Sequence, residues 1–456
     1  MAEPAPDSQA DDHLEAAADN LAEALRAGTL KQARGIVSAL HPAEIAHLLE
    51  SLPPSQRRIA WEMVDQDDHG EVLLHVGDEV RAGLIEAMDH EALLSATEGL
   101  DVDDLADLLQ DLPDAVTRQA LAGMDQQYRQ RLEAVLSYEE DTAGGLMNTD
   151  TVTVRANVTL DVVLRYLRMK SDIPELIDSL IVVNRYDRYL GILPLSAVVT
   201  RDPALTVAEV MDYSVEGIPA QTPAAQVAKI FEDRDLVSAP VLDEHGKLLG
   251  RITIDDVVDV IRGQAEHSVM SMAGLTEEED IFAPVIPSVR RRALWLGVNL
   301  VTAFVAASVV GQFQGTIEKV VALAVLMPIV ASMGGIAGNQ ILALVIRGLA
   351  LGQLGRRNAR FLATKELAVG ALNGIIFAVL VGAVAVAWFR DLRIGALIAA
   401  AMIINLLCAA MAGVGIPLAL RRLGIDPALA ATVVVTTVTD VMGFFAFLGL
   451  ATLVLL

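Results

Sequence analysis

The chain has 456 residues, with 34 Lys and Arg against 59 Asp and Glu, a formal net charge of −25. The charge is unevenly placed: residues 288–456 hold 13 basic and five acidic residues, a net of +8, which leaves −33 on residues 1–287. There is no basic footprint for a nucleic-acid partner, and the single cysteine, Cys408, excludes a disulfide framework or thiolate metal site within one chain.

An acidic soluble part therefore precedes an apolar, slightly basic part. The acidity suits cations, and equally a well-solvated surface; composition leaves both readings open. The first residues, Met-Ala-Glu-Pro, lack an apolar core, so no cleaved signal peptide is expected and the acidic part is expected to be cytoplasmic. Residues 1–12 are rich in Ala, Asp and Pro and are expected to be a disordered tail.

Residues 13–137 carry amphipathic helical periodicity with Pro- or Gly-marked breaks. The pattern repeats. LHPAEIAHLLESLPPSQRRIAWEMVDQ starts at Leu40, and LDVDDLADLLQDLPDAVTRQALAGMDQ starts at Leu100. Each has a leucine, a polar N-cap stretch, an LL pair, a proline break and a second helix, which predicts stacked helical hairpins in a small α-superhelix.

Residues 138–262 change period. DSLIVVNRYDRYLGIL (178–193) and LVSAPVLDEHGKLLGRI (236–252) each read as two short strands joined by a polar turn. Amphipathic helices at about 159–170 and 223–234 precede them, and short helices, LSAVV and IDDVVDVI, follow Gly191 and Gly250. Two β-α-β-β-α units of this size resemble a tandem CBS-domain pair. The resemblance implies adenine-nucleotide binding through a Thr/Ser-x-x-Asp after the last strand, which Thr253 and Asp256 supply; the first unit has Pro194 and Ala197 there. ATP is therefore expected, if anywhere, in the second unit.

Residues 263–292 read as a connecting helix, an acidic cap at Glu277–Asp280 and a helix feeding the basic cluster Arg290–Arg292. Five apolar runs then follow, at about 293–317, 320–346, 367–389, 394–420 and 428–456, each long enough to cross a bilayer. Placing Arg290–Arg292 in the cytoplasm puts Arg356, Arg357, Arg360, Lys365, Arg421 and Arg422 there too, as positive-inside asymmetry asks. Arg390 and Arg393 fall outside, in a very short loop, and the C-terminus is expected to be extracytoplasmic.

The last run, Ala428 to Leu456, has one formal charge, Asp440. A carboxylate in mid-bilayer costs at least ~2.5–3.5 kcal/mol on insertion scales, so such residues face a bundle interior or a watery pathway. On a helix, Thr436 and Thr437 lie a turn before Asp440, and Gly443 and Phe444 a turn after. One face thus offers a carboxylate, hydroxyls and a small residue, which reads as a cation site. The competing reading is a structural carboxylate paired with a neighbouring helix, but Arg347 is the only basic residue within an expected span.

The second run is interrupted by Pro328 and carries SMGGIAGNQ (332–340) at bilayer depth. Glycines let helices or a hydrated ion approach backbone carbonyls, and Gly334 and Gly338 also fit close helix packing through small residues. Gly335, Asn339 and Gln340 are candidates to line the same pathway as Asp440. One carboxylate per subunit cannot strip a small divalent ion. Mg²⁺ keeps its waters readily, so a lone Asp from each of two subunits fits hydrated Mg²⁺, without excluding Mn²⁺ or Co²⁺.

The ordered set of helical domain, YEEDTAGGLM (138–147), CBS pair, AGLTEEEDIFAP, VRRRALWL, GGIAGNQ and TTVTDVMGFFAF resembles the MgtE family of Mg²⁺ channels over about residues 13–456. The resemblance implies a homodimer in the bacterial inner membrane, with a pore formed chiefly by the second and fifth spans. It implies that Asp440 selects the ion and that Thr436, Asn339 and Gly335 line the pore. It also implies closure by cytoplasmic Mg²⁺ bridging acidic faces, with Asp235, Asp256 and Asp259 on the second CBS unit and Asp101, Asp103 and Asp104 on the helical domain. Two positions depart from the family pattern. Ile336 replaces an Asn in the glycine motif, and the connecting helix starts GQAEHS (263–268), with Glu266 its only acid, where relatives carry several. Fewer carboxylates on one side should weaken metal-dependent closure. A cation-coupled divalent transporter and a non-conducting sensor remain alternatives; the first needs a second titratable membrane site, and Glu318, Glu366 and Asp391 all sit at expected span ends. No Walker A or phosphorylation motif signals an ATP-driven pump or any other enzyme.

Overall fold

The computed structural model describes residues 16–455 except 22, 25, 28, 171, 172, 175, 276–279 and 356, and only the backbone of Asp114 and Gln127. The expected tail at 1–12, most of the acidic stretch after the connecting helix, and Arg356 lie outside the described residues. The chain forms two compact units.

The first unit opens with short helices: α1 (Leu30–Val37), α2 (Pro42–Glu50), α3 (Pro54–Trp61), α4 (His69–His75), α5 (Asp78–Ala87), α6 (His90–Ala96), α7 (Val102–Asp111), α8 (Asp114–Gly123) and α9 (Gln126–Val135). Local chemistry sets their ends. At α2 the His41 ring accepts from the Ala43 N–H, and Glu44 accepts from the His41 N–H at 2.9 Å, a reciprocal cap with Pro at the first helical position. The LL pairs of the sequence repeat, Leu48–Leu49 and Leu108–Leu109, are buried in the core. The repeat is thus a packing repeat: each hairpin turns its leucine edge inward.

Two three-stranded sheets follow. In the first, β1 (Thr153–Arg155) runs parallel to β2 (Ser179–Val183), which pairs antiparallel with β3 (Tyr189–Pro194); helices α10 (Leu160–Met169), α11 (Leu195–Thr200) and α12 (Val207–Val210) accompany it. The second repeats the plan with β4 (Ile218–Pro219), α13 (Ala224–Arg234), β5 (Ser238–Leu242) and β6 (Leu248–Thr253). The junction 142–148 joins this second sheet although it precedes the first in sequence. Thr142 bridges Pro223, and Asn148 exchanges backbone hydrogen bonds of 2.8 Å with Arg251. Met147 and Ala143 accordingly share one apolar core with the helical domain and the second CBS unit, while the first CBS unit has its own.

The short helix expected after Gly250 and the connecting helix are one element, α14 (Ile254–Ala273). It ends at Gly274, whose φ of +74° is a left-handed stop that glycine adopts without strain. Within the first unit, Asp280 is tied to the helical domain. Arg57 holds Asp280 through two hydrogen bonds of 2.7 and 3.1 Å, donates Nε–H to the Leu49 carbonyl at 2.8 Å, and Glu79 accepts from the Asp280 N–H. Both charged side chains are buried, at 8% and 6% exposure.

The second unit holds α15 (Val285–Gln312), α16 (Gln314–Lys319), α17 (Ala322–Ala350), α18 (Ala359–Phe389), α19 (Leu392–Arg422) and α20 (Pro427–Leu455). Five of these are long and apolar enough to cross a membrane. α15 starts at Val285, taking the basic cluster into the helix, and stops at Gln312, so the apolar run expected at about 293–317 is divided between α15 and the separate α16. Pro328 and Pro417 sit inside continuous helices. α19 is the hub, packed along α17, α18 and α20.

The Arg57–Asp280 pair yields a direct test. Removing one partner of a buried pair strands the other charge at a cost of roughly 3–5 kcal/mol. Arg57→Ala should therefore lower the thermal unfolding midpoint of the full-length protein and speed proteolysis between residues 274 and 284. An unchanged midpoint and cleavage rate would contradict this account of the clamp.

Candidate ion pathway and acidic cluster

In the membrane unit, the glycine motif divides by position. α17 and α20 run antiparallel and close together, with Gly334 and Gly443 both meeting the side chain of Asn405 on α19. A methyl group on Gly443 would lie 2.8 Å from Asn405 Nδ2, and one on Gly334 nearer still. At Gly338 it would lie 2.6 Å from Val435, and at Gly413 it would lie 2.8 Å from the Gly338 carbonyl. These four glycines serve backbone packing. Gly335 differs: the nearest atom to an added methyl is Thr436 Cγ2 at 3.9 Å, so this position has room.

Asn405 is the polar residue that sequence reasoning missed. It is fully buried, and its amide donates to the Val330 carbonyl at 2.7 Å, tying α19 to α17 just before the glycines. The only signal was an amide in an apolar run. Ile336, the departure from the family pattern, is exposed on α17.

Asp440 is half-buried on α20 and makes no ion pair among the described residues. The neighbouring hydroxyls donate along their own helix: Thr436 to the Thr432 carbonyl at 2.8 Å, Thr437 to Val433 at 2.6 Å and Thr439 to Thr436 at 2.9 Å. Their protons are thus used internally, leaving oxygen lone pairs as acceptors. Asn339 Oδ1 is buried without a partner among the described residues. A carboxylate beside hydroxyl acceptors is chemistry that suits a cation keeping its water shell.

Glu366, expected at a span end, stands about two turns from the start of its helix. It lies inside α18, 3% exposed, with Lys365 Nζ donating to it at 2.7 Å. At the start of α20, the Asp426 carboxylate accepts from the Ala428 N–H at 2.9 Å and meets His267 Nε2 of α14 at 2.9 Å. The acid-poor connecting helix therefore makes a histidine–carboxylate contact with the membrane unit.

In the first unit, α7 sets Asp103 and Asp104 near the acids of α14, with Asp107 nearer Glu140 and Arg81. Asn148 donates to Asp103 at 3.1 Å and Asp101 at 3.4 Å. Burial, and then neighbouring carboxylates, pushes Asp103 up to about 7, Asp104 to about 6, Asp107 to about 7 and Asp256 to about 8. Asp103 and Asp256 repel each other, and Asp259 acts on Asp104 while pairing with Arg262 at 3.4 Å. Asp235 is instead the exposed, left-handed C-cap of α13. The oxygen-only donors are the kind hard divalent cations take, but among the described residues no three His, Cys, Asp or Glu side chains are already gathered as a metal site. Thr253 is buried, and both its hydroxyl and its N–H donate to Asp256, at 3.2 and 3.3 Å. The Thr-x-x-Asp pair closes on itself as a helix cap, so a ribose would have to open it.

Two tests follow from these geometries. Gly413→Ala and Gly334→Ala should cost folded protein on size-exclusion chromatography. Gly335→Ala should give normal yields yet lower ion flux, and equal loss of yield at all three would contradict the division. For the acids, the folded state binds protons that the unfolded chain, with carboxyls near 3.8, has already released. Stability should therefore fall as pH rises from about 4 to about 8. In metal-free buffer the melting transition of the first unit should drop between about pH 5.5 and 8, and Mg²⁺ should restore it at the higher pH only. A pH-independent transition would contradict the clustering.

Against known proteins, residues 327–450 match the MgtE family model described as a divalent cation transporter, residues 40–141 the MgtE intracellular N domain, and residues 143–202 and 207–263 the CBS domain. The magnesium transporter MgtE of Thermus thermophilus is 33% identical over 442 residues, covering 96% of this chain and 98% of that protein. The Bacillus subtilis magnesium transporter MgtE is 26% identical over 428 residues, 94% and 95% of the two chains. Among solved structures, the cytosolic domain of the Mg²⁺ channel MgtE in complex with ATP is 34% identical, with a TM-score of 0.48, covering 53% of this chain and 99% of that one. On the full-length relationship to the Thermus protein and the three matching domain models, the chain belongs to the MgtE family.

Proposed function

We propose that this protein is a multi-pass Mg²⁺ channel of the bacterial inner membrane, a homodimer passing hydrated Mg²⁺ down its gradient through a pore lined by α17 and α20. One observation carries the reading: Asp440 stands on a membrane-spanning helix with no ionic partner among the described residues, beside hydroxyls whose protons are spent on their own helix. A charge so placed is expensive in a bilayer and is retained where it serves an ion. The carboxylate selects by charge. Gly335, Thr436 and Asn339 supply room and neutral acceptors for the water shell. Mn²⁺ and Co²⁺, of the same charge and a similar preference for hydration, are candidate competitors.

Regulation belongs to the acidic cluster. Asp101, the N-cap of α7, and Asp103 and Asp104 on α7, with Asp256 and Asp259 on α14, repel each other as they ionise, and a divalent cation between them relieves that repulsion. Asp235 is carried in this reading on its motif alone. Adenine nucleotide at Thr253 and Asp256 rests on the Thr-x-x-Asp spacing and requires their mutual contact to open. Glu266 being the only acid at the start of the connecting helix, closure should need more Mg²⁺ than in relatives with several.

Glu366 favours one second reading. It is a second buried carboxylate in the membrane unit, as proton-coupled transport requires. The experiment is Mg²⁺ uptake by proteoliposomes, comparing the parent with Asp440→Asn with and without a pH gradient. A channel loses most flux in the mutant and ignores the gradient in the parent. Uptake driven by the gradient and lost in Glu366→Gln supports coupling, and flux surviving Asp440→Asn moves the ion site elsewhere.

A further inference from the structure

In the membrane unit, α19 and α20 leave an open groove of about 350 Å³ between them. On α19 it is lined by every third or fourth residue from Cys408 to Ala419, a single helix face, and on α20 by Val438 and Met442, one turn apart. The lining is apolar, and Met411 and Met442 stand exposed along it. Gly415 leaves it deep: a methyl group added there would meet nothing within 4 Å. A void forfeits the dispersion contacts of its walls, so in a bilayer such a groove takes up hydrocarbon. Its length and its end decide whose. From Cys408 to Ala419 the helix rises about 16 Å, close to one leaflet of a hydrocarbon core ~30 Å thick. The same face continues to Arg422, three residues past Ala419 at the helix end. A helical side chain covers the turn before its own Cα, so Arg422 overlies the end of the groove. It is exposed and makes no ion pair among the described residues. Asp426, the acid nearest in sequence, is engaged by the Ala428 N–H and His267. Arg421 donates instead to the Leu354 carbonyl at 3.5 Å.

We propose that this groove binds an anionic phospholipid, with one acyl chain lying between α19 and α20 and the headgroup phosphate held by the Arg422 guanidinium. Charge sets the choice. The guanidinium fork matches phosphate oxygens bidentately, whereas an apolar helix laid in the groove would fill it and leave Arg422 unpaired. A zwitterionic headgroup offers the same phosphate with a cation beside it, and so a weaker hold. Val438 and Met442 lie two residues either side of Asp440 and about 160° around α20 from it. The groove is therefore behind the helix face that carries Asp440. A chain seated there fixes the rotation of α20 about its axis, and with it the Asp440 face, so occupancy should raise ion flux. That consequence, unlike the binding, rests on the reading of Asp440 as the ion site.

The test is native mass spectrometry of the full-length protein in detergent carrying phosphatidylglycerol or phosphatidylcholine. It is paired with Mg²⁺ uptake by phosphatidylcholine vesicles with and without added phosphatidylglycerol. The parent should retain phosphatidylglycerol in preference and take up Mg²⁺ faster when it is present. Arg422→Gln should lower phosphatidylglycerol retention about tenfold, the size of one charge-assisted hydrogen bond. It should leave phosphatidylcholine retention unchanged and lose the lipid response of uptake, and Arg422→Lys should restore part of both. Gly415→Leu, placed where the fold has room, should reduce retention of both lipids; Arg422→Gln keeps the proposal testable if that variant fails to fold. Asp440→Asn should lose uptake yet retain lipid like the parent, so failure of the ion reading leaves the lipid site standing. Parent-like retention in Arg422→Gln and Gly415→Leu would overturn the proposal. So would a Gly415→Leu protein whose oligomer breaks down while its lipid retention is parent-like, since the groove would then hold a second copy of the chain.

Discussion

The buried amide of Asn405 is the contact on which the membrane unit depends. Three helices cross at this side chain, and they approach closely because the facing positions, Gly334 and Gly443, carry no side chain. The amide then bonds to the Val330 carbonyl, fixing the register of α17 against α19. In hydrocarbon, helices gain little from apolar contact with one another, so close packing and interhelical hydrogen bonds must hold them. One consequence is geometric. With Gly334, Gly338 and Gly443 locked, the adjacent face of the same two helices presents Gly335, Thr436 and Asp440 at a fixed spacing. The packing glycines and the roomier Gly335 are neighbours in sequence because they are neighbours around one helix.

That division explains what was legible in the sequence and what was not. The five spans, the helical repeat, the two β-hairpin units and the lone carboxylate at Asp440 are all local patterns, set by periodicity and by the cost of charge in a bilayer. The roles of Gly334 and Gly335 were not separable, since the sequence does not say which of two adjacent glycines meets another helix. Asn405 was invisible for the same reason: its meaning lies in Val330, some 75 residues away. Glu366 reads as a terminal charge because the apolar run starts after it; its burial could not be read from the sequence, since the helix begins earlier, at Ala359. The continuity of α14 was hidden by a change of composition near residue 262 that marks no structural break.

The first unit works by a different balance. Its helical domain and second CBS unit share one apolar core, and that core brings Asp103 of α7 against Asp256 of α14. Hydrophobic burial thus forces like charges together. The raised proton affinities of these groups record that conflict. Asn148, on the junction strand, relieves part of it by donating to Asp103 and Asp101. Protons and divalent cations can each relieve the rest, so such a cluster can report on cation concentration without a preformed coordination cage.

The account's central claim is that Asp440 holds a cation through its water shell. It is tested most directly by the anomalous scattering of Mn²⁺ in crystals of the full-length protein grown in lipid. The account predicts a peak beside α20 with the metal about 4 to 4.5 Å from the nearest Asp440 carboxylate oxygen, a water lying between them. A metal at about 2.1 Å, the distance of direct ligation, or no peak near Asp440, would contradict it.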